Sequence, residues 1–241
     1  MSFALLPLLV TLAAPLAGAK RPAWCAVELK TLDGDICVHD EPAPEGEPRV
    51  LVIFLHGLVK TGTNWQHHHQ RQLVRAAKRK GFTVLMPRGI DGGHPHYPNK
   101  VGWPVTTKDL KKHEPKMFAR WKAAQAKLEA DGKPFDRVVV MGFSSGAYYD
   151  ASLALRGALK VDGHAVFGGG GAWGGLHAEH RPPIFVGICS KDRTAAGAEQ
   201  LVKALEKADW PHEAKSLEVG HTLVDEHLDA AVAYLRGVSV E

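Results

Sequence analysis

The sequence carries no internal repeat, no extended low-complexity tract and no long block of one charge sign. A collagen-like array and a disordered chain are thereby excluded. Beyond its first nineteen residues it also lacks any apolar run of bilayer-spanning length, which excludes a polytopic membrane protein. Charge imbalance is small: 30 Lys and Arg stand against 26 Asp and Glu, a formal net charge of +4. The basic residues gather at Lys108, Lys111 and Lys112 and at Arg75, Lys78, Arg79 and Lys80, where a solvated helix face accounts for them. No nucleic-acid partner is indicated. Cysteine is scarce, with three in the chain, an odd number that allows one pair and leaves one thiol over.

What is present fits a soluble globular protein: 241 residues, 45% of them hydrophobic and 23% charged, enough for one sizeable core. Met1 to Ala19 carry no charged side chain, run apolar from Phe3 to Leu16 and end in Ala17-Gly18-Ala19, the small-x-small pattern of a secretory signal. Pro7 and Pro15 inside the run favour cleavage over a retained anchor. The expected mature chain is residues 20–241, a single domain, secreted or periplasmic, with no stable membrane insertion. In oxidising surroundings Cys25 and Cys37 are the candidate pair. A tight hairpin turning at Asp33-Gly34 would leave them out of register, so a bridge requires a wider loop around Thr31, or it does not form. Cys189 reads as a buried core thiol.

Apolar runs rich in β-branched residues predict strands over Arg49 to Leu55, Phe82 to Met86, Arg137 to Met141, Ala165 to Phe167, Ile184 to Cys189 and Ser216 to Val219. Near-continuous apolar strands imply burial on both faces, as in a parallel sheet covered by helices. Helical periodicity appears between them. Pro115 to Asp131 places Met117, Trp121, Ala124 and Leu128 on one stripe, with Pro115 in the first turn and Gly132 past the end. The stripes Ala198, Leu201, Val202, Leu205 and Leu228, Val232, Leu235 repeat the pattern. This alternation predicts an α/β fold with a doubly wound, mostly parallel sheet, and Trp24 to Val38 form an antiparallel hairpin at its edge.

The segment that carries chemistry is Arg137 to Ala147, a strand running into Gly142-Phe143-Ser144-Ser145-Gly146 and then into a helical stretch, Tyr148 to Leu159. Gly-x-Ser-x-Gly between strand and helix is a nucleophile elbow. The flanking glycines let neighbouring backbone pass close to a strained turn, which exposes the Ser144 hydroxyl above the sheet. The amide of Ser145 points from the helix N-terminus to where an oxyanion would form.

With these features the chain resembles the α/β-hydrolase superfamily from Arg49 to Leu235. The resemblance implies the chain order nucleophile, acid, histidine, which places the acid at Asp192, after the strand Ile184 to Cys189, and the histidine at His221, after Leu217-Glu218-Val219-Gly220. Neutral His221 then takes the proton of Ser144, and Asp192 fixes its tautomer. It also implies a second oxyanion amide at Leu58, in His56-Gly57-Leu58, with His56 structural. Asp225 and Glu226 sit at a helix start, where acids complement the dipole.

Two clusters carry no chemistry on this reading. His67, His68 and His69 with His94 and His96 have no ligand spacing, so no metal is expected. Gly168 to Gly171 with Trp173, Gly174 and Gly175 lacks the register of a nucleotide site. No cofactor is expected. Fifteen or so residues between Phe167 and Pro183 leave no room for a cap domain, and the larger excursion Gly89 to Glu114 offers Tyr97 and Trp103 to line a substrate. Trp103 and Trp173 are the expected rim. An open cleft suits bulky or polymeric esters. A capless, exported chain looks most like the esterases grouped with polyhydroxyalkanoate depolymerases, feruloyl and acetylxylan esterases and phospholipase/carboxylesterases. Ala147 stands where the depolymerase pattern commonly has a third glycine. A thioesterase, peptidase or acyltransferase would share the triad, and a catalytically silent binding protein would share the scaffold.

Overall fold

A computed structural model of the chain describes residues 23–172 and 175–238. The expected signal, Met1 to Ala19, and Trp173 lie outside the described residues. In chain order the elements are β1 (Lys30–Leu32), β2 (Ile36–His39), β3 (Val50–Leu55), β4 (Val59–Lys60), α1 (Gln66–Lys80), β5 (Thr83–Pro87), β6 (Ile90–Asp91), β7 (Lys100–Gly102) and α2 (Thr107–Ala130). They continue with β8 (Arg137–Phe143), α3 (Ser145–Arg156), β9 (Gly163–Phe167), β10 (Ile184–Cys189), α4 (Ala195–Lys207), β11 (His212–Leu217) and α5 (Asp225–Gly237).

Eight strands form one sheet in the order β1-β2-β5-β3-β8-β9-β10-β11. From β5 to β11 every neighbour is parallel, while β1-β2 and β2-β5 are antiparallel. The expected doubly wound sheet with an antiparallel hairpin at its edge is the fold observed. β3 shows why its run is apolar throughout: Val50, Val52 and Phe54 face the layer of α1 and α5, and Leu51, Ile53 and Leu55 face α2 and α3. Alternate residues of a strand point to opposite faces, so a strand covered on both sides needs apolar residues at every position. A third cluster joins α3 to α4 through Ala151, Leu155, Leu201 and Leu205.

Several boundaries differ from the sequence reading. The last strand is His212–Leu217, not Ser216 to Val219, because it is the outer strand of the sheet and alternates polar residues that an apolar criterion passes over. The long helix begins eight residues before Pro115. Thr106 caps it, its Oγ1 accepting the Asp109 amide at 3.1 Å. Pro115 therefore lies inside α2, on an exposed stretch where water can take up the carbonyl that proline leaves without a donor. The excursion after Gly89 supplies β6 and β7, which with β4 from the loop after β3 form a small antiparallel sheet, β4-β7-β6, too short to leave a pattern in sequence.

The hairpin does turn at Asp33 and Gly34, both at positive φ (44° and 75°), and pairs Lys30 with Val38 and Leu32 with Ile36. Cys25 and Cys37 are nevertheless bridged, with Cα atoms 5.3 Å apart. The register objection does not apply, because Cys25 lies in a turn before β1 and approaches β2 from outside the ladder. Cys189 is a buried free thiol, as expected, and burial raises its pKa. Closing 12 positions of chain, the bridge is expected to contribute about 3 kcal/mol of stability. Urea unfolding with and without reductant measures this difference. An unchanged midpoint would show that the segment is held without the bridge.

Candidate active site

Ser144 follows β8 directly and opens α3, with φ 54° and ψ −117°. Such a conformation costs a non-glycine residue about 1–3 kcal/mol and persists only where its surroundings enforce it. Here two glycines do so. A Cβ on Gly142 would lie 2.3 Å from the carbonyl oxygen of Gly146, and one on Gly146 would lie 2.0 Å from that of Leu55. The Ser144 amide donates to Phe167 at 3.0 Å, and the amides of Ala147 and Tyr148 donate back to the Ser144 carbonyl. The side chain is left to project from the carboxyl end of the sheet.

The other two expected residues converge on it. His221 Nε2 lies 2.9 Å from Ser144 Oγ. His221 Nδ1 is hydrogen-bonded to Asp192 Oδ2. A carboxylate against Nδ1 holds the proton there and leaves Nε2 free to accept from the serine hydroxyl. The loops carrying Asp192 and His221 are tied together, Ser190 N–H donating to Leu217 and Lys191 N–H to Val219. Parallel pairing of β10 with β11 thus extends past the strand ends and sets the acid against the histidine.

Asp192 also accepts from the Thr194 hydroxyl at 2.6 Å and, more weakly, from its amide. Burial pushes its carboxyl up, but the hydrogen bonds from Thr194 and His221 outweigh it and hold the group below the usual carboxylate range. Thr194 was not singled out from sequence. Its signal is the Asp-x-Thr spacing, which lets a side chain close a turn on its own carboxylate. Phe143 was missed as well; its ring lies 5.0 Å from that of His221 and backs it.

The two expected oxyanion donors flank the serine. Ser145 is the first residue of α3, whose leading amides have no partner within the helix. The His56-Gly57-Leu58 segment passes so close that a Cβ on Gly57 would lie 3.2 Å from Ser144 Cβ. Asp225, at the start of α5, is paired with Arg79 at 3.0 Å and takes no part in this constellation.

Neither family models nor curated proteins match the sequence. Solved structures do match. The chain is similar to YahD, in a structure with malic acid, at TM-score 0.59 and 17% identity over 83% of this chain and 97% of that one. It is similar to a Bacillus cereus carboxylesterase at TM-score 0.57 and 16% identity, covering 83% and 92%. Arabidopsis thaliana SOBER1 matches at TM-score 0.59 and 16% identity, covering 78% and 97%. The fold is that of the α/β-hydrolases.

Within this α/β-hydrolase fold, the described part of the segment from Gly168 to Pro183 contains no helix or strand, in keeping with the absence of a cap domain. Trp103 is a correction. It is fully buried, stacks on Tyr149 at 5.7 Å and 5°, and donates from Nε1 to the His56 carbonyl at 2.7 Å. It anchors β7 to the core and lines no open surface, because its indole N–H finds its partner inside. Among the described residues the exposed large aromatics are Trp65 and Tyr97. Trp65 stacks on His68 and reaches His69, which packs on Phe143. Tyr97 packs on His94, beside Gly102 and Leu58. Among the described residues no group of three or more His, Cys, Asp or Glu is arranged to hold a metal ion.

His56 and His69 are structural. Burial drives His56 down to about 3 and His69 to about 4. His56 accepts the Gly89 amide at Nε2 (3.0 Å) and meets the Gly57 carbonyl at Nδ1 (2.5 Å), an arrangement open only to the neutral ring. Both pKa values are depressed on folding, so the unfolded chain binds protons first and stability is lost as pH falls below about 6.5. Each ring is expected to contribute a slope of about 1.4 kcal/mol per pH unit between that value and its folded pKa. Urea unfolding at a series of pH values should give a shallower decline for His69→Leu than for the wild type. Parallel slopes would mean that His69 is protonated in the folded chain.

Proposed function

We propose that the protein is a serine hydrolase of carboxylic esters that works through an acyl-enzyme on Ser144. The observation that carries this reading is the hydrogen-bonded line from Ser144 Oγ through His221 to Asp192, built on a strained turn at the carboxyl end of a parallel sheet. Likeness in fold to a Bacillus cereus carboxylesterase adds support.

In this reading His221 Nε2 takes the hydroxyl proton as Ser144 Oγ attacks the ester carbonyl. The negative charge that develops on the carbonyl oxygen is received by the amides of Ser145 and Leu58. Collapse breaks the bond to the alkoxy oxygen, which leaves as the alcohol with the proton from His221. Water, deprotonated by the same nitrogen, then adds to the acyl-enzyme and releases the acid and Ser144. Asp192 stays ionised throughout and balances the imidazolium, a task for which its lowered pKa suits it.

A cleft without a lid would admit a bulky or polymeric ester. The short segment from Gly168 to Pro183, which contains Trp173, supports that reading, as do the exposed rings of Trp65, which reaches Phe143 through His69, and Tyr97. Action outside the cytoplasm is the matching location. The Cys25–Cys37 bridge and the apolar run at residues 1–19 support it, and among the described residues no helix is long and apolar enough to cross a membrane.

Ser144→Ala is expected to lower kcat by about 10⁴-fold or more and to abolish labelling by a fluorophosphonate probe, with Tm little changed because alanine keeps the Cβ at the same strained turn. Asp192→Asn should cost about 10⁴ in kcat by reversing the tautomer of His221. A panel of oxygen esters, thioesters and peptides assigns the bond cleaved, and turnover of peptides in place of esters would overturn the reading. Trp65→Ala should change the ratio of kcat/KM between bulky and short acyl esters. Trp103→Ala should instead lower Tm and affect all esters alike.

A further inference from the structure

The described chain begins in a segment held from three sides. The Trp24 carbonyl accepts from Gln66 Nε2 at 3.0 Å and Gln70 Nε2 at 3.1 Å, and the Ala26 amide donates to Gln70 Oε1 at 2.8 Å. His67 Nε2 meets the Ala23 carbonyl at 3.0 Å. Between these points Cys25 is bridged to Cys37 in β2. Backbone on both sides of Trp24 is therefore fixed to α1 and to the sheet, and the indole has one place to go.

That place is against His56. The Trp24 and His56 rings lie 4.9 Å apart, tilted by 59°, and Trp103 packs on the same imidazole, also at 4.9 Å and tilted by 45°. A void of only about 10 Å³ remains where Trp24, His56, Gln66 and Gln70 meet. On the outer side of the indole stands an open cavity of about 260 Å³, lined by Lys60, Arg88 and Asp91 among others. Trp24 is thus the partition between solvent and His56.

The ring it covers bridges two loops. By taking the Gly89 amide and meeting the Gly57 carbonyl, His56 ties the end of β5 to the backbone just before Leu58. We propose that Trp24 is a positioning residue for the oxyanion loop: pressed down by the Cys25–Cys37 bridge and α1, it keeps His56 dry and so holds Gly57 and Leu58 in place beside Ser144. The proposal rests on the reading of Ser144 as a nucleophile.

The charged and titratable groups around His56 act in the same direction as the cover. Arg88, from the β5 end, lies over the outer Trp24 face at 5.3 Å and is paired with Asp91; His69 approaches from α1. Both disfavour a proton on His56, but burial is the largest cause of its low pKa, and burial is what Trp24 supplies. Water admitted to the ring returns its pKa towards the ordinary histidine value of about 6.5. A protonated ring has two donors, cannot accept the Gly89 amide, and releases the loop below that pH.

Imidazole NMR of the full, disulfide-bonded chain reads the cover directly, and steady-state kinetics reads its consequence. In the wild type the His56 resonance is expected to stay flat above about pH 4, and log kcat should fall on the acid side with a slope of about one, from a single essential base. In Trp24→Ala, His56 should titrate between about pH 5 and pH 7. There kcat should drop about tenfold beyond the wild-type decline, with the slope rising towards two and KM unchanged. Trp24→Phe, which keeps a ring over His56, should restore the slope of one. Cys25→Ala with Cys37→Ala removes the covalent tie without altering the indole, leaves the ties to α1, and should shift the His56 titration and the kcat slope part of the way towards those of Trp24→Ala, which provides the reading if that variant does not fold. An unprotonated His56 in the uncovered variants, or a titrating His56 with the slope still one, overturns the proposal. A wild type that cleaves no ester and takes no fluorophosphonate overturns the hydrolase reading beneath it, and the NMR titration keeps that failure separate from a failure of the cover.

Discussion

The rest of the site depends on the approach of α3 to the end of β3. At Gly146 the helix backbone comes so near the Leu55 carbonyl that no side chain can intervene. That proximity places the first turn of the helix beside the His56-Gly57-Leu58 segment, with Ser144 at positive φ in the turn that joins β8 to α3. One methyl added at Gly146 would separate these elements. The strain at Ser144 is offset by the buried contacts that hold β3, β8 and α3 together, where Val140, Leu153 and Ile53 share one cluster.

Burial then sorts the histidines by task. His56 and His69 are enclosed and kept neutral, and they act as hydrogen-bonding and packing groups. His164, deeper still, is hydrogen-bonded to Asp150 at 2.6 Å between α3 and β9. His221 differs from all of these: its side chain is 42% exposed and a carboxylate faces one nitrogen while a serine hydroxyl faces the other. Exchange with solvent and a fixed tautomer are the two properties that a proton carrier needs.

Much of this was legible before the structure. Parallel strands buried on both faces betray themselves by unbroken apolar runs, and the Gly-x-Ser-x-Gly turn announces its own geometry through the glycines it requires. Position after successive strands then singles out Asp192 and His221. What sequence could not convey was determined by distant partners. Trp103 has the composition of a rim residue, and only the carbonyl of His56, 47 positions away, makes it a core anchor. The β4-β7-β6 sheet has strands of two or three residues, below the length at which periodicity exists. Pro115 reads as a helix start by local preference, yet a Thr106 cap two turns earlier prevails because the intervening face needs no burial. The cysteine bridge was obscured by treating Cys25 as part of a ladder that begins five residues later.

Both margins of the large sheet are finished in ways that bear on how copies of the chain meet. β1 is three residues long, and its first, Lys30, is exposed and paired with Asp131 of the helix layer. β11 at the opposite margin presents Glu213 and Ser216 to solvent and is followed by the loop that carries His221. A strand from another molecule would have to desolvate these polar groups to continue the ladder, and at β1 it would gain few hydrogen bonds in return. Among the described residues the sheet thus ends on two margins whose shortness and polarity disfavour continuation of the ladder by a second molecule.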